Sequence, residues 1–318
     1  MKSVNIPVLY IAFARPDYAR QSFDAIKAAK PKKFYFYSNK GREGHGDELE
    51  RNEQVRSMLK EVDWDCELHT WFRDECVDVY TSLWGAINWL FEHEEMGVIL
   101  EEDCVAAPSF FDFAEKMLFK YKDEPRIWMI AGDNYAEKWN PHGYSYHFSK
   151  NLFIYGWASW RDRWQKVDWN HSIMPDMIKN GVLEAAYDTK QQRKFHTKKL
   201  TKAMPFVERT KCWDYMFTSV GMCYGGLSIL PSHHLIQNVG LSGSHHKAGR
   251  FSLSVTYNPI TFMEDEYPIT NEPPFIVSDV EFDEHQFHEL HYKDSQFWRR
   301  AVNKTVSYTH LTLPTIRL

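Results

Sequence analysis

Val98-Ile99-Leu100-Glu101-Glu102-Asp103 is where residue types and spacing in this chain could do chemistry. The apolar, β-branched run reads as a buried strand, and it ends in three consecutive acids. In an open α/β sheet, ligands bind at the carboxyl ends of the strands. Adjacent carboxylates repel one another unless a cation sits among them. Mg²⁺ and Mn²⁺ prefer oxygen donors and commonly bridge protein carboxylates to substrate phosphates. The plainer reading of such a triplet in isolation is a solvated turn. A second notable acid is Asp214, flanked by Cys212-Trp213 and Tyr215-Met216-Phe217. Apolar flanks should partly strip water from its carboxylate and strengthen it as a general base. The alternative is an Asp capping a helix.

Glycine loops that cradle phosphates are absent: no GxGxxG follows a strand, and there is no GxxxxGK[ST]. A nucleotide here would have its phosphates held by metal instead. Composition sets the frame. The chain has 318 residues, 43% hydrophobic and 25% charged, as an ordinary globular protein does. A net charge of −5 gives no support to nucleic-acid binding. Aromatic residues reach 16%, and Trp and Tyr offer stacking faces to sugars, though extra aromatics are more often core. The five cysteines are scattered and form no CxxC pair, which suits a reducing compartment. No run approaches the roughly 20 apolar residues of a membrane span. Without a secretory h-region at the start, the expected location is cytoplasmic.

The elements that must position these acids follow from periodicity. Strands are expected at Pro7–Phe13, Lys33–Tyr37, Cys66–Phe72, Val98–Leu100 and Ile127–Ala131, with helices from Arg15 to about Ala29, up to about Val62, over Ser82–His93 and over 110–121. This alternation predicts an α/β fold with a mostly parallel sheet flanked by helices. A basic helical run (Arg193, Lys194, Lys198, Lys199, Lys202) reads as a solvated face, or as a peripheral contact with an anionic acceptor or the inner face of the membrane. Phe297-Trp298-Arg299-Arg300 reads as a packed helix or an interfacial anchor. Residues 1–256 are expected to form the catalytic domain and 257–306 a C-terminal extension. Residues 307–318 look like a non-native tail.

The run Gly97 to Phe111, with its acids followed by Pro108-Ser109-Phe110-Phe111, resembles the acidic motif of GT-A glycosyltransferases. The likeness is to those related to N-acetylglucosaminyltransferase I and to bacterial haemolytic-protein-like transferases. Further segments resemble that family in order: Ala12-Phe13-Ala14-Arg15-Pro16, Ser38-Asn39, Gly156-Trp157-Ala158-Ser159-Trp160-Arg161, Trp213-Asp214-Tyr215-Met216, and Pro231 to His246. The family carries Asp where this chain has Glu102. The resemblance implies a GT-A (Rossmann-like nucleotide-diphospho-sugar transferase) fold. It implies Mn²⁺ or Mg²⁺ held by Asp103, with His246 as a further candidate ligand. Arg15, Asn39, Glu101 and Glu102 would sit on the donor side, and Asp214 would be the inverting catalytic base. Trp157, Trp160 and Trp213 would lie on the acceptor side, although core packing is an equal reading of Trp157 and Trp160.

The expected function is therefore metal-dependent, inverting transfer of a hexosyl or N-acetylhexosaminyl group. The donor would be a nucleotide-sugar, with a UDP-sugar expected. The acceptor would be a hydroxyl of a glycan, a lipid-linked or another carbohydrate, in polysaccharide assembly. The rivals are a metal-dependent sugar nucleotidyltransferase or phosphoesterase and a non-catalytic carbohydrate-binding protein.

Overall fold

The computed structural model describes residues 4–136, 138–210, 212–240 and 259–288. Its ten strands in this range are β1 (Val8–Ala12), β2 (Lys33–Ser38), β3 (Glu67–Phe72), β4 (Met96–Glu101), β5 (Cys104–Ala106), β6 (Ile127–Ala131), β7 (Tyr146–Ser149), β8 (Trp157–Trp160), β9 (Leu227–Pro231) and β10 (Ile236–Asn238). The principal helices are α1 (Pro16–Ala29), α2 (Glu48–Ser57), α3 (Val79–His93) and α4 (Pro108–Lys120). The shorter α5 (Arg161–Trp164), α6 (Met174–Lys179) and α7 (Val182–Ala186) lead to α8 (Lys190–Val207), α9 (Trp213–Cys223) and α10 (Val280–Phe287).

Eight strands form one sheet in the order β3-β2-β1-β4-β8-β6-β9-β7. Strands β1 to β4, β6 and β9 run one way, and β7 and β8 run the other. The α/β class with a mostly parallel, helix-flanked sheet is thus as the sequence predicts. Helices cover both faces, so the central strands are apolar throughout rather than alternating. Val8 and Tyr10 of β1 pack with Phe34, Phe36, Val98 and Leu100 under α1 and α4. Leu9 and Ile11 pack with Tyr35, Tyr37 and Ile99 under α3 and α9.

Local chemistry sets the helix starts. Pro16 and Pro108 occupy the first turns of α1 and α4, where a missing N–H costs nothing. The Asp78 side chain accepts from Tyr80 N and Thr81 N to open α3. Residues 259–288 make contacts with earlier parts of the chain. Tyr267 is buried, and its hydroxyl donates to Ser145 O at 2.9 Å. None of the described helices is long and apolar enough to cross a membrane.

One buried contact in this region makes stability pH-dependent. His147 of β7 packs against Phe282 of α10, ring centroids 4.3 Å apart, and its Nε2 has no hydrogen-bond partner. Burial pushes its pKa down to about 4, with only Asp279 opposing. The folded value lies below the unfolded one, so the stability is present above pH ~6.5 and is lost as pH falls towards 4. Wild-type protein should lose roughly 2 kcal/mol more than His147→Phe between pH ~7 and ~5. Denaturant melts of both at the two pH values check this; equal losses would show that His147 is not the titrating group.

Candidate functional site

The sheet brings several sequence-distant groups to one edge. Strand β1 ends before Arg15, β2 before Asn39, and β4 at Glu101. Because β8 runs antiparallel between β4 and β6, its start at Trp157 meets the ends of both, opposite Ile99 and Ala131. Gly156, at φ +64°, makes the turn into β8, and its carbonyl accepts from Gly132 N at 3.0 Å. Asp133 and Tyr155 therefore arrive beside the acids of β4.

The acid turn is held from three sides. Glu102 is buried, and its carboxylate accepts from Phe13 N at 2.6 Å and from Arg15 Nε at 2.5 Å. Its backbone carbonyl accepts from Ser22 Oγ of α1 at 2.8 Å. Arg15 Nη2 also donates to Asp103 Oδ2 at 2.9 Å, so one guanidinium bridges two acids. The third hold comes from far along the chain. β10 pairs antiparallel with β5, setting Asn238 opposite Cys104, and Val239 N donates to Asp103 O at 2.8 Å. Gly240 lies so close to Asp103 Oδ2 that a Cβ there would fall inside van der Waals contact. The segment Pro231 to His246, which resembles the family, thus reaches the acids through Asn238-Val239-Gly240. His245 and His246 lie outside the described residues, as do the segment Phe297–Arg300 and the tail 307–318.

The charge at this edge is unbalanced. Burial, then the charge of Asp103, push Glu101 up to about 8, with Arg15 opposing and Glu102 and Asp214 adding to the rise. Asp133, buried beyond β6, is pushed up to about 8 by burial alone, with Tyr135 opposing. Burial, followed by the charges of Glu101, Cys104, Asp133 and Asp103, raises the Tyr155 hydroxyl. Arg15 is raised by Glu102 and Asp103 against the effect of its own burial.

A hard divalent cation fits this donor set. Its oxygens are carboxylates, and their mutual repulsion is what a cation would relieve. Among the described residues no group of three or more His, Cys, Asp or Glu side chains is arranged to hold a metal. The chain would then supply one or two carboxylates, Asp103 and Glu101, and a bound diphosphate the rest, which is the usual manner of Mg²⁺.

Asp214 sits in the first turn of α9, where an acid complements the helix dipole. Cys212 Sγ donates to its Oδ1 at 2.9 Å, and it is half-buried. Its charge acts on Glu101. It is not the N-cap, which is Cys212. Lys199 of α8 reaches this helix, its Nζ 5.9 Å from the centroid of the Tyr215 ring.

Asn39 is buried at the edge, but its amide is largely committed. Nδ2 donates to Val77 O at 2.8 Å, and Oδ1 accepts from Lys40 N and Val77 N. One amide hydrogen remains for a ligand. The tryptophans correct the acceptor-side expectation. Trp157, Trp160 and Trp213 are 1%, 3% and 3% exposed. Trp157 and Trp213 stack on each other at 5.2 Å, and Trp160 Nε1 donates to Leu118 O. Close packing leaves none of the three a face for a sugar. Asp133 and Tyr155 are not among the residues that the family resemblance marks. Asp133 follows the apolar run Ile127–Ala131 as Glu101 ends its own, so the same strand-end rule could have found it; Tyr155 carries no such signal.

No protein-family model matches the chain, and no curated protein does. Among solved structures it is similar to the mannosyltransferase PcManGT from Pyrobaculum calidifontis in complex with GDP-Man and Mn²⁺. Identity there is 11% over 70% of this chain and 75% of that one, with a TM-score of 0.37. HddC from Yersinia pseudotuberculosis matches at 8% identity, over 50% of this chain and 78% of its own, with a TM-score of 0.30. A UDP-glucose pyrophosphorylase complexed with UDP-glucose matches at 8% identity over 51% and 78%, also at 0.30.

Proposed function

We propose that this chain is a metal-dependent, inverting glycosyltransferase of the GT-A kind. The donor is a nucleotide-sugar, with a UDP-sugar the first to test, and the acceptor is a carbohydrate hydroxyl. The observation that carries the reading is that Arg15 and the acids Glu101 and Asp103 stand at one sheet edge, while Asp214 follows Trp213, whose ring stacks on Trp157 where β8 starts beside β4. Transfer needs two such negative centres with different tasks. Asp103, with Glu101, would hold the cation, and a bound Mn²⁺ or Mg²⁺ supplies Lewis-acid stabilisation of charge on the departing diphosphate. Glu102 fixes Arg15, whose guanidinium faces the same edge and suits a phosphate. Asp214, on its own helix, takes the proton of the acceptor hydroxyl as the anomeric carbon is attacked.

The test is product analysis with a panel of UDP- and GDP-sugars, Mn²⁺ and mixed oligosaccharide acceptors. Release of nucleoside diphosphate together with a lengthened acceptor is the expected result. Pyrophosphate formed from a nucleoside triphosphate and a sugar phosphate would overturn it in favour of a nucleotidyltransferase.

A further inference from the structure

The indoles missing from the acidic edge are found elsewhere. Strand β3 is one of the two edge strands of the large sheet, and α3 approaches it where Trp89 meets Trp71. Between them opens a cleft of about 550 Å³. That is within the range of roughly 300–1,000 Å³ typical of small-molecule sites. Trp71, Trp84 and Trp89 form its walls, with Arg73, Asn88 and Glu92 among them. All three tryptophans are partly exposed, unlike Trp157, Trp160 and Trp213.

The walls are fixed in place. Trp71 and Trp89 meet edge to face at 5.7 Å, braced by Tyr37 and Tyr35. The Arg73 guanidinium lies 4.5 Å from the Trp71 ring centroid and donates to Tyr37 Oη at 2.5 Å. Gly85 makes room for it, since a Cβ there would come within 2.7 Å of Arg73 Nη2. At the rim, Asn88 Nδ2 donates to Glu92 Oε1 at 2.6 Å, one helical turn apart on α3. Rigid indole faces therefore alternate with an amide, a carboxylate and a guanidinium.

We propose that this cleft binds a neutral pyranose oligosaccharide, at a site separate from the acidic edge. The axial C–H face of a pyranose carries partial positive charge and suits the negative face of an indole. Its hydroxyls both donate and accept. Glu92 accepts, Arg73 donates, and Asn88 does both. A phosphorylated ligand suits the cleft less well, because Glu92 would repel it. A purely apolar ligand would strand the three polar side chains. The proposal does not rest on the transfer reading, and it holds for a catalytic or a non-catalytic chain.

The test uses intact protein, tryptophan fluorescence, and cellohexaose and chitohexaose as probes. Saturable quenching with Kd of about 0.1–1 mM is expected for at least one probe. The double variant Asn88→Ala/Glu92→Ala should weaken that binding about tenfold or more with its melting temperature kept. These two side chains are chosen because the indoles also support the tyrosines of β2. Asp103→Ala should leave the same Kd unchanged, which separates this cleft from the acidic edge. Absence of binding by either probe at about 10 mM would overturn the proposal. Binding indifferent to the double variant, or lost in Asp103→Ala, would do so as well. A concentration-dependent dimer in sedimentation that shields these tryptophans would overturn it in favour of pairing through β3.

Discussion

Asp214→Asn should lower sugar transfer by roughly 10²–10⁴-fold, the usual contribution of a general base, while the fold survives. Asn keeps the shape of the side chain and an acceptor oxygen for Cys212 Sγ, but it cannot take a proton. The structural cost is small. The first turn of α9 loses a favourable charge worth about 0.3–1 kcal/mol. The loss should fall on kcat, with the donor KM little changed, because Asp214 acts on the acceptor's proton. Steady-state kinetics beside a thermal melt decide the matter. Near-wild-type turnover would remove Asp214 from the base role and leave the metal assignment standing.

Asp103→Ala should weaken Mn²⁺-dependent nucleotide binding by about 100-fold or more, since even the loss of groups that merely support a metal ligand costs 10–100-fold. The substitution also releases Arg15 Nη2 from its bond to Oδ2. A second effect follows at Glu101. The charge of Asp103 is, after burial, the largest cause of its raised pKa, so Glu101 should ionise more readily in the variant. Asp103→Asn, which keeps the acceptor for Arg15, separates the lost charge from the freed guanidinium. Calorimetric titration of UDP with and without Mn²⁺ is the measurement. Unchanged metal dependence in both variants would sink the assignment.

The first four strands and their helices were legible because each carries its own period and punctuation. Val98–Leu100 is apolar without a break, and Pro16 and Pro108 mark helix starts. The acidic strand end was legible for the same reason. The insertion of β8 between β4 and β6 was not, because strand order is set by which faces can be buried together, and no local pattern in Trp157–Trp160 records it. That insertion also explains the tryptophans. The pattern Gly-Trp-Ala-Ser-Trp is equally that of an exposed aromatic platform and of a buried central strand, and only the neighbours decide. The commitment of the Asn39 amide to Val77 was likewise invisible, because it depends on where the loop after β3 returns.

The pairing of β10 with β5 gives the molecule an order in time. The acids are made early, and the strand that clamps their turn is made more than a hundred residues later. Closing so long a loop costs entropy, and the clamp cannot form before β10 is present. A chain emerging from the ribosome can therefore assemble β1 to β4 while its crowded carboxylates still lack the backbone bond from Val239. The acidic edge is complete only once β10 has been added, although its residues come from the first third of the chain.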